Sequence, residues 1–89
     1  MLTSQVTIKV QNGDRQRQVW FFFESDHEDL ADLNDALVEE GTVFGHRLES
    51  EPAPGGSRRI TSRYDFIVSS DAVVTICPPQ YEIIKEDAQ

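Results

Sequence analysis

The chain has 89 residues, 38% apolar and 27% charged, with a net charge of −8 and one cysteine. That length supports one domain with one principal core, and the lone Cys77 excludes an intrachain disulfide or a multi-cysteine zinc site. No apolar run approaches the roughly 18 residues of a membrane span, and an acidic balance opposes binding to phosphate backbones.

Residues 1–10 alternate polar and apolar with no basic region ahead of an apolar block, which predicts a strand rather than a signal peptide. A cytoplasmic location is expected. Residues 4–10 and 15–23 flank Gln11-Asn12-Gly13-Asp14, and Asn-Gly is a strong hairpin signal. A two-residue turn at Asn12-Gly13 sets Val10 opposite Arg15, Val6 opposite Val19 and Leu2 opposite Phe23. One face of that hairpin gathers Leu2, Val6, Ile8, Val10, Val19, Phe21 and Phe23 for the core. The other is polar apart from Trp20 and Phe22.

Ser25-Asp26-His27-Glu28 has the Ser-x-x-Glu form of a capping box, predicting a helix over 26–40 that ends at Gly41. Leu30, Leu33, Leu37 and Val38 make its apolar stripe. At 100° per residue, Glu28, Asp32, Asp35 and Glu39 fall within an arc of about 60° opposite the leucines. Residues 24–40 hold eight of the sixteen acids and no Lys or Arg, so the remainder, with eight acids and eight bases, is neutral. The whole surplus therefore belongs to this segment.

Thr42–Glu49 predicts a third strand, and Glu51–Ser57, rich in Pro and Gly, a mobile loop. Arg58–Val68 and Ala72–Cys77 predict a fourth and a fifth strand. A three-residue loop Ser69–Asp71 pairs them, so that Ile60, Tyr64, Phe66, Val68, Val74 and Ile76 share one apolar face. Pro78-Pro79 ends the ladder. Tyr81, Ile83 and Ile84 suit a short edge strand or an arm, and Lys85–Gln89 a frayed end. The expectation is an α+β fold in ββαβββ order, with an antiparallel sheet of four to five strands and a single helix on one face. Residues 1–80 form the domain and 81–89 a C-terminal tail.

Catalytic patterns are absent. Cys77 ends an apolar strand, His27 and His46 lie beside no nucleophile, and Gly55-Gly56 lacks a phosphate-binding pattern. Asp29, Asp32 and Asp35 lie on a straight helix that aims them poorly at one ion, so neither a metal nor a cofactor is expected. The acidic face is the sharpest feature: Glu28/Asp32 and Asp35/Glu39 are like-charge pairs at i,i+4, and a face serving only solubility usually intersperses Lys and Arg. These residues point to a non-enzymatic protein–protein interaction module meeting a basic partner surface. Two other readings compete: a ligand pocket or active site between sheet and helix with His27, Asn34 and Tyr64, and nucleic-acid stacking on Trp20, Phe22, Arg59 and Arg63. Trp20 and Phe22, with Ile67, Val73 and Cys77, also suit homodimerisation through the sheet, or cover by the Tyr81–Ile84 tail.

Overall fold

The computed structural model describes residues 1–85 of the chain. The elements are β1 (Leu2–Asn12), β2 (Arg15–Ser25), α1 (Leu30–Glu40), β3 (Thr42–Ala53), a 3₁₀ turn (Pro54–Gly56), β4 (Ser57–Ser69), β5 (Val73–Cys77) and β6 (Glu82–Ile84). The fold is α+β, but its sheet has six strands in the order β5-β1-β2-β3-β4-β6 and is mixed, since β6 runs parallel to β4. An all-antiparallel sheet of four to five strands is corrected accordingly. The expected fraying at the C-terminus lies outside the described residues beyond Lys85.

The first hairpin turns on Gly13-Asp14 rather than Asn12-Gly13, so Asn12 pairs with Arg15, Val6 with Phe21 and Leu2 with Ser25. Of the two turn residues Gly13 takes a positive φ, 69°, and Asp14 does not. The register is displaced by two residues, one full pleat repeat, so every side chain keeps its expected face. Val6, Ile8, Phe21 and Phe23 are buried in one core cluster with Leu33, Leu37, Val43 and Val68.

β5 does not pair with β4. It lies antiparallel on β1, with Gln5 opposite Cys77 and Val6 opposite Ile76. Four peptide units from Ser69 to Val73 reach about 14 Å, less than the about 19 Å separating such strands in a flat sheet. The sheet must therefore roll. Rolling brings Val68 of β4 and Val73 and Ile76 of β5 into the same cluster, and the turn closed by Ala72 N–H to Ser69 O delivers β5 to β1's open edge. A linear reading of turn length pairs neighbours in sequence and misses this closure. Of the face expected for β4 and β5, Phe66 and Ile76 pack on the cluster, whereas Tyr64 and Val74 are exposed.

The pairing between β2 and β3 is short, from Phe22 with Leu48 to Glu24 with His46. Gly45 stands just beyond it. A Cβ there would collide with the Glu24 carbonyl oxygen and come within 2.6 Å of the Phe23 ring, so only glycine lets the two long hairpins close at this point. Residues 51–57 are not a mobile loop: β3 continues to Ala53, and the Ser57 hydroxyl donates to the Pro54 carbonyl across the tight turn.

The helix begins four residues later than the Ser-x-x-Glu signal suggests. Asp29 is the N-cap and accepts from Asp32 N–H at 2.9 Å, while Asp32 Oδ2 accepts from Glu28 N–H at 3.0 Å. Ser25 is instead the last residue of β2, paired with Leu2 and 3% exposed. Strand pairing overrides the local capping pattern. Gly41, at φ 81°, ends the helix with its N–H bonded to the Leu37 carbonyl.

Candidate functional site

α1 anchors on Leu33 and Leu37, both nearly fully buried. Its start places the four expected ridge acids unequally. Glu28 lies before the helix, and Asp32 is engaged in the cap, where it also suits the positive end of the helix dipole. Asp35 and Glu39 remain exposed on the outer turns, one helical repeat apart, and Glu40 follows with no basic residue in the last turn. Among the described residues, Glu28, Asp32, Asp35 and Glu39 take part in no ion pair.

Four other acids, Glu24, Glu49, Glu51 and Asp65, have partners within the chain, whereas Asp14, Asp71 and Glu82 take part in no ion pair among the described residues. Glu24, with 8% of its side chain accessible, accepts from Arg63 Nε and Lys85 Nζ, each at 2.8 Å. Burial pushes its carboxyl pKa up, but the hydrogen bonds and charges of Lys85 and Arg63 outweigh that and leave it below the ordinary value. Glu49 accepts from the Tyr64 hydroxyl at 2.6 Å and from Arg47 Nε at 2.7 Å. The Tyr64 bond, aided by Arg47 against partial burial, lowers the Glu49 pKa, and the same bond raises that of Tyr64. Glu51 lies 3.9 Å from Arg59, and Asp65 3.1 Å from His46 Nε2.

Beside the helix runs an open groove of about 390 Å³, walled by Leu30, Asn34, Leu37 and Val38 of α1 and by Val73–Ile76 of β5, with Ser70 also in its lining. Val38, expected on the buried stripe, is 74% exposed because β5 stands away from the helix on this side. Val74 sits where the β1–β5 register slips, between the Thr7–Thr75 and Ile8–Val73 pairs, and its side chain is open too. The pocket expected between sheet and helix included Asn34, which lines this groove, together with His27 and Tyr64, which do not. β5 was not foreseen as the far wall, since that follows from β5 joining β1. Val38, at the outer edge of the leucine stripe, was the available signal.

The opposite face of the sheet forms a second, smaller core. Phe22 is fully buried and Leu48 nearly so. Tyr81 stacks on Trp20 with ring centroids 5.6 Å apart and an interplanar angle of 9°. The Arg58 guanidinium lies 5.2 Å from the Trp20 ring centre and donates to the Ser50 carbonyl. Gln80 N–H binds the Gln5 side chain, and Lys85 closes over Glu24. Segment 80–85 thus covers Phe22 and part of Trp20, which stays 37% exposed. More open on this face are Phe44 and Ile67, cross-strand partners 59% and 61% exposed.

The other nominated residues are dispersed. Asn34 lines the groove, Tyr64 binds Glu49 on the far hairpin, and His27, just before the helix, has a buried Nδ1 without a partner among the described residues. Arg63 is held by Glu24. The Cys77 thiol lies 3.7 Å from the Gln5 carbonyl, a weak contact. Among the described residues no group of three or more His, Cys, Asp or Glu side chains is placed to hold a metal ion, and no helix is long and apolar enough to cross a membrane. Comparison of the chain with protein-family models, curated proteins and solved structures found no match.

Proposed function

We propose that this chain is a non-enzymatic protein–protein interaction module in which the acidic outer face of α1 meets a basic partner surface. The observation that carries the proposal is the uneven matching of charge. Glu24, Glu49 and Glu51 have Arg or Lys partners in the fold, whereas Asp35 and Glu39 stand exposed without one among the described residues. Like charges at i,i+4 cost a few tenths of a kcal/mol, and Glu39 and Glu40 also oppose the negative end of the helix dipole. A basic surface would reverse the sign of both terms, steering association and fixing orientation.

The competing readings have less support. His27, Asn34 and Tyr64 do not converge on one cavity. Phe22 is fully buried, Trp20 is stacked on Tyr81 and Arg63 is engaged by Glu24, so these nominated residues do not present one free stacking platform.

The test is affinity capture from native cells with the full chain and with Asp35→Lys/Glu39→Lys, each at low and high salt. Basic proteins retained at low salt by the natural chain, and released by salt or by the double reversal, support the reading. Identical capture by both chains sinks it.

A further inference from the structure

The groove between α1 and β5 has an arrangement that a flat acidic surface does not need. Val73, Val74, Thr75 and Ile76 are consecutive and all line the groove, the register slip at Val74 having broken the regular alternation of faces there. The groove therefore follows the main chain of β5 along its edge. Among the described residues β5 ends the strand order and has a strand neighbour on one side only. Its sequence, Val-Val-Thr-Ile-Cys, holds no charged residue or proline that would blunt a sheet edge, and the register slip at Val74 leaves Thr75–Cys77 as its regular part. Across the groove stand Leu30, Leu37 and Val38, and Asp35 lies about 60° further round the helix from Val38.

We infer that this groove takes an extended segment of the partner protein, added as a strand to β5, with aliphatic side chains against Leu37, Val38 and Ile76 and flanking Lys or Arg heads at Asp35 and Glu39. The placement rests on the reading of α1 as a docking surface for a basic partner. Main-chain bonds to β5 supply affinity irrespective of sequence, and pockets for alternate side chains supply selectivity. Because alternate residues of an added strand point away from the helix, both the aliphatic and the basic residues belong to one parity, as in Lys-Thr-Leu-Thr-Leu-Thr-Lys. The long cationic stems lie along apolar surface and carry their charge to the rim. At about 390 Å³ the groove is near the small end of ligand pockets, about 300–1,000 Å³. It suits a few side chains of a strand better than the face of a helix.

The experiment uses the ¹⁵N-labelled full chain and that seven-residue peptide, titrated to about 1 mM, where even a weak complex registers. Shifts are expected at the amides of Val73–Ile76 and along α1. N-methylation of one alternate set of peptide residues should abolish binding and of the other set spare it, since only one set faces β5. Asp35→Lys/Glu39→Lys should weaken binding about tenfold at low salt. Equal binding by both methylated peptides, or no shift at residues 73–76, overturns the strand placement. If that result comes with loss of binding on charge reversal, the docking reading of α1 survives it. Binding in the groove that ignores charge reversal overturns the docking reading and this placement with it. Absence of any shift at about 1 mM overturns the placement.

Discussion

On the outer face of the sheet Glu24 is buried and held between two cations, whereas on α1 Asp35 and Glu39 face water with none among the described residues. The two regions also differ in their apolar surface. Phe22 and part of Trp20 are roofed by Tyr81 and the residues after it, while Val38 and Val74 border a groove left open. Each region mixes acids with apolar side chains, yet one is completed by the chain and the other is not. Completion inside the chain contributes to stability; incompleteness leaves complementarity for something outside it. Substituting residues in each region should separate these roles.

The largest effect is expected on the completed side. Phe22→Ala removes a fully buried ring in edge contact with Trp20 and Tyr81, and should cost about 3–5 kcal/mol in urea unfolding. Val38→Ala, at a side chain 74% exposed, should change stability by no more than about 0.5 kcal/mol. Similar losses for the two would erase the distinction between a second core and an open groove.

Acid should loosen the same region. Glu24 has a folded-state pKa below its ordinary value of 4.5. The stability it supplies is therefore complete above that value and is lost as pH falls through the lowered one. Glu49 is shifted the same way and adds to the loss. Protonation of Glu24 releases Lys85, and with it the segment carrying Tyr81. Trp20, the only tryptophan, reports this directly, so its fluorescence should change below pH 4.5. Glu24→Gln should remove that step. A step that persists in Glu24→Gln means that Glu24 does not hold the segment down.

How much of this was readable in the residues varies with the range of the interaction. Alternation placed the first hairpin's side chains on the right faces even though its turn was misplaced by one residue, because a shift of two in register preserves parity. Leu33, Leu37 and Gly41 marked the helix and its end for the same local reasons. Its beginning was not legible: Ser25-x-x-Glu28 and Asp29-x-x-Asp32 both have capping form, and the choice depends on Ser25 being taken up by the pairing of β1 with β2. The position of β5 lay further out of reach, since it follows from the rolling of the sheet. The far wall of the groove, formed by β5, was out of reach with it, although Asn34 and Val38 on the helix side were visible at the edge of the leucine stripe. Glu28, Asp32, Asp35 and Glu39 were visible as a charged stripe, but which of them the cap would engage was not.

Capping itself supplies the next test. Asp29→Ala removes the acceptor for Asp32 N–H and should cost about 1 kcal/mol, whereas Ser25→Ala should leave helix content unchanged by circular dichroism. The reverse outcome would restore the longer helix and put Glu28 back on the ridge.

The smallest effect bears most directly on why the helix is acidic. Asp35→Asn/Glu39→Gln keeps shape and removes an i,i+4 repulsion and a charge at the unfavourable end of the dipole. Stability should rise by a few tenths of a kcal/mol at low ionic strength, visible as a small increase in Tm. The increase should shrink in high salt, where repulsion between exposed charges is screened. Asp65→Asn is the matched control: it removes a carboxylate already in contact with His46 Nε2, 3.1 Å away, so no comparable gain is expected. If the helix substitutions stabilise and the Asp65 substitution does not, the ridge keeps a charge arrangement that folding alone disfavours. If the helix substitutions lower Tm instead, Asp35 and Glu39 stabilise the folded chain, and the uncompensated ridge ceases to argue for a partner.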